Sequence, residues 1–307
     1  MSARKYLLYD VFTDRAFAGN QLAIVLDTAG LDTAAMQEIA CEFNLSETVF
    51  VLGREENRAE IRIFTPAHEL PFAGHPTVGT AVALRDAGIP ADNDNHESDA
   101  AILVLEERIG PIRCLVKRDG RGAFAEFGLA RLPAKADFEI SREQAAAALG
   151  IGPHDIGFEN HTVSVWNAGL PYVCIPVRDL DAAARSSLDV RLWLEIVGAR
   201  IEDQNPAAYV YCRETVAQQN ALHARMFAGH LGIPEDPATG SAVASLSGAI
   251  AMFDRPLDGT TEYWIEQGLE MGRPSGIRLE LDMRDGELNA ARIGGYAVKV
   301  GEGVIYR

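Results

Sequence analysis

Apolar positions along this chain alternate between a period near two and a period near 3.6, and the same succession of the two is met twice. Residues 6–12 and 22–26 predict strands, and residues 32–43 predict a helix with Leu31, Met36, Ile39, Ala40 and Phe43 toward one face. Residues 47–52 and 59–64 predict strands again. The following helix, 77–86, carries no charge until Arg85 and is small or apolar all round, which implies that other structure encloses it. Strands then follow at 101–107, 112–117 and 122–127, the last two joined by an Asp119-Gly120 turn.

Ser141 and Gln144 form a capping-box pattern at the start of a helix over 141–149. Strands at 161–166 and 172–177, helices at 180–185 and 188–198, and strands at 208–212 and 221–227 come next. A second helix of small and apolar residues spans 239–252. Strands at 262–267, 277–283 and 287–293, with Asp285-Gly286 as a turn, lead to a last strand over 296–306. The pattern predicts an α+β fold of two halves, each a mostly antiparallel, barrel-like sheet curled around one central helix.

Short matches support a duplication. An offset of 163 aligns Arg62 with Arg225, Phe64 with Phe227, Pro71 with Pro234 and Ala81 with Ala244. Ala18-Gly19 and Ala168-Gly169 precede comparable apolar runs, and Ile112-Arg113 and Ile277-Arg278 lead to comparable Arg-Asp-Gly turns. The halves divide as 1–131 and 132–307, with 296–307 able to cross back to the first. A site between pseudo-symmetric halves could hold one substrate between two opposed helix N-termini.

At 307 residues the chain is long enough for two proper cores. A net charge of −16 argues against nucleic acid or an anionic membrane as partner, though not against a small anion in a pocket. Asp10 interrupts the N-terminal apolar stretch before it reaches signal-peptide length, and no apolar run is long enough to span a bilayer, so a cytoplasmic protein is expected. A homodimer is compatible with all of this. Cys41, Cys114, Cys174 and Cys212 lie far apart and read as buried free thiols rather than a metal site or disulfide framework. The acidic stretch 91–99 lacks the glycine and terminal glutamate of a calcium loop and reads as a solvated surface loop.

Candidate chemistry gathers at the starts of the two enclosed helices. Gly74-His75-Pro76-Thr77 and Thr239-Gly240-Ser241 leave backbone N–H groups open to an anion, or are small only so that strands can wrap tightly. Gly74 and Gly79 have phosphate-loop spacing, but Thr80 stands where the lysine would be, which rejects nucleotide binding. Glu47 opens an apolar strand directly after a helix end. It is either an exposed corner or, in a cleft, a desolvated general acid or base, with Ser46 beside it. His75 reads as a core or a site histidine, and Asp236 as a helix cap or a site acid.

The segments Asn44-Leu45-Ser46-Glu47-Thr48, Pro71-Phe72-Ala73-Gly74-His75-Pro76-Thr77-Val78-Gly79 and Glu235-Asp236-Pro237-Ala238-Thr239-Gly240-Ser241-Ala242, in this order, resemble the PhzF-like phenazine-biosynthesis family. Phe17-Ala18-Gly19-Asn20 and Asn167-Ala168-Gly169-Leu170-Pro171 fit as well. The resemblance covers essentially the whole chain. It implies the diaminopimelate epimerase-like fold and a cofactor-independent, metal-free isomerase that moves a proton on a small cyclic or aromatic-like carboxylic acid. Glu47 would be the general acid and base, with His75 and Asp236 also catalytic. Ser46, Gly74, Gly240 and Ser241 would bind substrate.

Two other readings stay open: a non-catalytic small-molecule binding protein on the same fold, and an amino-acid racemase or epimerase. The two-cysteine racemases of this fold place a thiol at each central helix head, and this chain has none there.

Overall fold

The structure is a computed structural model and describes residues 2–88, 100–198 and 204–307. The stretch 91–99, predicted as a surface loop, lies outside the described residues. Two compact units divide the chain, one made of Met1–Gly128 with Gly294–Arg307 and the other of Leu129–Ile293.

The first unit contains β1 (Ala3–Val11), β2 (Asn20–Val25), α1 (Thr33–Phe43), β3 (Glu47–Glu55), β4 (Arg58–Phe64), β5 (Glu69–Leu70), α2 (Gly74–Asp86), β6 (Ala100–Glu107), β7 (Gly110–Asp119) and β8 (Gly122–Gly128). The second contains β9 (Ala134–Lys135), α3 (Arg142–Leu149), β10 (Ser164–Asn167), β11 (Pro171–Pro176), α4 (Leu180–Arg185), α5 (Val190–Val197), β12 (Ala207–Cys212), β13 (Leu222–Ala228), β14 (Ile233–Asp236), α6 (Gly240–Phe253), β15 (Gly259–Gln267) and β16 (Ser275–Arg284). The final strand, β17 (Glu287–Tyr306), gives its residues up to Ile293 to the second unit and the rest to the first.

In the first unit the pairings close on themselves as a barrel. β1 pairs β2, β2 runs parallel to β3, β3 pairs β4, and β4 runs parallel to β6. β6 pairs β7, β7 pairs β8, β8 pairs β17, and β17 returns to β1 from Val11↔Ala297 to Ala3↔Tyr306. The two parallel steps are where a helix must cross over: α1 connects β2 to β3 and α2 lies between β4 and β6. The second unit repeats this order. β10 pairs β11, β11 runs parallel to β12 across α4 and α5, β12 pairs β13, β13 runs parallel to β15 across α6, and β15 pairs β16. The fold is thus α+β, with two pseudo-symmetric halves built around α2 and α6.

Both central helices are enclosed, as their lack of an apolar stripe implies. Gly74 through Leu84 are all buried in α2, and Gly240 and Ala242 through Ile250 are buried in α6. The backbone of α2 lies directly on the barrel wall: a Cβ at Gly79 would stand 2.6 Å from a Val11 methyl and 2.7 Å from one of Leu22. By contrast α1 is an outer helix. It is capped by Asp32, which accepts from Ala35 N at 2.8 Å, and packs Met36, Ile39 and Ala40 against Val25, Phe50 and Phe64. It ends at Asn44 in the left-handed conformation (φ 50°), which asparagine tolerates better than most residues, and this turn brings the chain to Glu47 as the first residue of β3.

Several predicted boundaries move. The helix expected at 77–86 begins at Gly74, because Pro76 in a first turn gives up no hydrogen bond, and the candidate cradle is therefore the first helical turn itself. The strand expected at 161–166 runs over Ser164–Asn167, and the helix expected at 188–198 runs over Val190–Val197 behind an Asp189 cap. The predicted strands 287–293 and 296–306 are one strand. Gly294 keeps it continuous where a Cβ would stand 2.6 Å from the Phe124 ring and 2.7 Å from Glu126. The first hairpin turn is Gly120-Arg121, since Asp119 pairs with Gly122, whereas Asp285-Gly286 turns as expected with positive φ at both residues. The Ser141/Gln144 capping box is present. Cys114, Cys174 and Cys212 are buried, but Cys41 is exposed on α1, whose outer face it occupies.

The internal repeat also has a finer structure than one offset. Arg62 and Arg225 correspond at 163, each in a two-point ion pair with Glu69 or Glu235 and each stacked on the phenylalanine two residues on. Those glutamates correspond at 166, as do Gly74 and Gly240, the first residues of the central helices. The change arises from the longer connection after β13, which holds the short turn Gly229–Leu231. The structural partner of His75 is therefore Ser241, and that of Ala73 is Thr239.

Candidate active site

In the first unit the turn at Asn44 delivers Glu47, and the first turn of α2 delivers His75 as its second residue. His75 Nε2 lies 3.3 Å from Glu47 Oε2, with the two side chains 5% and 13% exposed. Burial pushes the His75 imidazole down to about 3, far more than a hydrogen bond with the Gln21 backbone restores. The close contact with Glu47 is therefore between a neutral ring and a carboxyl group rather than an ion pair. Nδ1 of the same ring faces the Asn20 side-chain amide at 3.3 Å. Ser46 and Gly74 flank the pair in sequence, Ser46 half-buried and Gly74 buried.

A second carboxyl lies under the same helix head. Glu107, the last residue of β6, is 7% exposed and its Oε1 stands 2.7 Å from Thr77 Oγ1. Thr77 Oγ1 also reaches the carbonyl of Ala73, the residue capping α2, at 2.7 Å. Burial pushes Glu107 up to about 8, with Thr77 opposing weakly.

In the second unit Asp236, the last residue of β14, is 5% exposed and its Oδ2 accepts from Thr239 Oγ1 at 2.5 Å. Asp236 is not the helix cap, since Thr239 holds that position and offers no side-chain capping bond. The buried amide of Gln267 ties this head together. Its Nε2 donates to Asp236 O at 2.7 Å and to Thr239 Oγ1 at 3.0 Å, while its Oε1 accepts from Thr239 N at 3.3 Å and Tyr209 Oη at 3.2 Å. Ser241 Oγ lies 2.7 Å from the Tyr172 hydroxyl, next to Gly240 at the start of α6. Gly268 lets the chain after β15 pack directly on this loop, for a Cβ there would stand 2.5 Å from the Pro237 carbonyl.

The structure thus brings Glu47 and His75 into contact beside Ser46 and Gly74, and places Asp236 with Gly240 and Ser241 at the head of α6. Sequence reasoning named Thr77 and Thr239 only as parts of the two candidate cradles and Asn20 only within a family-like segment, and it did not single out Glu107 or Gln267. Glu107 was legible in one respect: it continues the inward alternation Leu103, Leu105 of an apolar strand, as Gln267 continues Ile265. A polar residue on the buried face of a strand requires a partner. Among the described residues no group of three or more His, Cys, Asp or Glu side chains is arranged to hold a metal ion, and no helix is long and apolar enough to cross a membrane.

Comparison with known proteins shows the family. Residues 9–303 match the family described as phenazine biosynthesis-like protein, PhzC-PhzF. An uncharacterized isomerase of Mesorhizobium japonicum is 56% identical over 308 residues, covering 100% of both chains. The trans-2,3-dihydro-3-hydroxyanthranilate isomerase of Pseudomonas fluorescens is 32% identical over 306 residues, covering 98% of each. The crystal structure of a Bacillus anthracis phenazine biosynthesis protein of the PhzF family superposes with a TM-score of 0.88 at 28% identity, covering 100% of both chains. A family match across almost the whole chain, relatives aligned end to end and a shared diaminopimelate epimerase-like fold lead to one conclusion: the chain belongs to the phenazine biosynthesis-like (PhzC-PhzF) family, as an isomerase.

Proposed function

We propose that this isomerase moves a proton within a small cyclic or aromatic-like carboxylic acid, with Glu47 as both general base and general acid and without cofactor or metal. The observation that carries the reading is the 3.3 Å contact between the largely buried Glu47 carboxyl and an imidazole held neutral by burial. A neutral imidazole has one N–H and one lone pair. It can donate to Glu47 when the carboxyl is ionised and accept from it when the carboxyl is protonated. On the other side of the ring stand both a donor, the Asn20 amide, and the Gln21 backbone, so either tautomer finds a partner. His75 therefore accompanies a carboxyl through both halves of a proton shuttle without adding a charge. Catalytic hydrogen bonds of this kind commonly tighten only when substrate is bound.

In the proposed reaction Glu47 removes a proton from an activated carbon and the electron pair enters the conjugated system. The same carboxylic acid then returns the proton to another carbon, so atoms and charge balance with no external acid. Backbone N–H groups in the first turns of α2 and α6, at Gly74 and Gly240, are proposed to hold the substrate carboxylate and the charge that develops in an enolate-like transition state. Ser46 and Ser241 add hydrogen bonds, and Asp236 fixes a polar substituent. A cytoplasmic location belongs to the same reading.

trans-2,3-Dihydro-3-hydroxyanthranilate, named for the Pseudomonas fluorescens relative, is the first compound to test. Incubated with the protein in D2O and followed by NMR, it should isomerise, the ring carbon that receives the proton gaining deuterium to the extent that the Glu47 proton exchanges with solvent before it is returned. Failure to turn over this compound and a panel of cyclic carboxylic acids would remove the proposal.

A further inference from the structure

The two central helix heads are braced from the same place in the fold by different residues. Gln267 ends β15 as Glu107 ends β6, and each reaches the head of the helix that precedes its strand. We infer that Glu107 is a positioning residue for the His75-bearing head of α2, acting as the neutral acid that donates its proton to Thr77, and that its ionisation loosens that head. The inference rests on the reading of Glu47 and His75 as the proton-transfer pair.

The proton count at Thr77 carries the argument. Its hydroxyl has one hydrogen, yet Oγ1 lies 2.7 Å from both the Ala73 carbonyl and Glu107 Oε1. A carbonyl can only accept, so a full set of hydrogen bonds requires Thr77 to donate to Ala73 and Glu107 to donate to Thr77. The other Glu107 oxygen, Oε2, is buried with no hydrogen-bond partner among the described residues, which a neutral acid tolerates and a carboxylate does not. No cation among the described residues pairs with Glu107. On β4 Arg62 is committed to Glu69, and beside Glu107 in the chain Arg108 is committed to Glu69 and Glu106 to Arg58. Cys114 on β7 is buried, its thiol pushed up by burial, and it brings no positive charge to Glu107. Glu60, Arg62, Glu69, Glu106 and Arg108 share with Glu107 the lining of a cavity of about 620 Å³, and both arginines there are held by Glu69.

The second half supplies an internal control. There the brace is a carboxamide, a group that donates at every pH, and it bonds the capping residue of α6 directly. In the first half the brace is a donor only while protonated. Ionised, Glu107 would compete for the Thr77 proton and draw it from the Ala73 carbonyl, one residue before Gly74 and two before His75. A second clamp on this loop, Ile109 N to Pro71 O at 3.2 Å, is a backbone bond that does not titrate.

The test compares the wild type with Glu107→Gln and Glu107→Ala. Infrared difference spectra should show a protonated-carboxyl carbonyl band near neutral pH in the wild type that Glu107→Gln lacks. The His75 ring resonances should shift with a midpoint near 8 in the wild type, where Glu107 titrates, and stay flat in Glu107→Gln. Turnover of trans-2,3-dihydro-3-hydroxyanthranilate should fall about tenfold in Glu107→Ala and be restored to within about threefold in Glu107→Gln, without the alkaline loss of the wild type. A missing infrared band, or a His75 shift that persists in Glu107→Gln, overturns the inference whether or not that compound is a substrate. Lack of turnover with the spectroscopic results intact counts against the substrate reading and leaves the Glu107 coupling established.

Discussion

At the head of α2 the second helical residue is a histidine held neutral by burial, and the brace beneath it is a carboxyl. At the head of α6 the second residue is a serine bonded to Tyr172, and the brace is a carboxamide. The strands and paired arginines around the two heads correspond, while the connections differ: one crossover helix, α1, stands against two, α4 and α5, and the turn Gly229–Leu231 lengthens the loop after β13. The same scaffold thus carries a histidine over a carboxyl in one half and a serine beside an aspartate over a carboxamide in the other. On the proposed reading the first head handles the proton and the second holds the substrate.

The largest effect that bears on this division is expected at Glu47. Glu47→Gln preserves shape and removes the titrating group, and should reduce turnover by about a thousandfold with the circular dichroism spectrum unchanged. Retention of more than a few per cent of activity would place the base elsewhere. Asp236→Asn probes the other head. The Thr239–Gln267 network can accept an amide there, so the fold should hold while kcat/KM drops about a hundredfold through lost substrate contacts. An unchanged kcat/KM would reduce the second head to scaffolding.

A further contrast sharpens the comparison through stability. The second unit does contain a charged histidine, but it is a structural one. His223 is 1% exposed between Glu266 at 3.0 Å and Glu270 at 2.9 Å; burial lowers its pKa, yet these two bonds outweigh burial and raise it to about 9. A raised histidine pKa contributes stability that is complete below the ordinary value of 6.5 and is lost as pH rises through about 9. The wild-type melting temperature should therefore fall across that window, by an amount corresponding to roughly 2–3 kcal/mol, and His223→Gln should flatten the fall. A melting curve indifferent to pH over this range would show that His223 is not charged.

The smallest effect is expected from the thiols. Cys41 is exposed on α1, remote in sequence from either helix head, and burial pushes Cys114, Cys174 and Cys212 up, Cys212 to about 12. Alkylating the native protein should leave turnover within about twofold of the untreated enzyme. Abolition of turnover by a single Cys→Ala change in a folded protein would replace the carboxyl mechanism with a thiol one.

Much of this was written in the sequence. The alternation of strands, the charge-free runs 77–84 and 239–252 and the repeated Arg-x-Phe segments announced two barrel-like halves, because an enclosed helix cannot carry charge on any face and a barrel strand must alternate. Glu47, His75 and Asp236 stood out as polar residues at the ends of apolar elements, but each had a structural reading beside the functional one, and the family resemblance made them candidates. What the sequence did not yield was the true correspondence of the helix heads. Chance matches at Pro71/Pro234 and Ala81/Ala244 favoured an offset of 163, whereas the fold pairs His75 with Ser241 at 166, since only three-dimensional superposition of elements can discount an insertion in a turn. The sequence likewise could not assign protonation states. Whether His75 is neutral and Glu107 keeps its proton depends on how completely strands far apart in the chain exclude water from them and on which cations are already committed elsewhere. Desolvation and charge pairing act through space, so only the tertiary structure decided them.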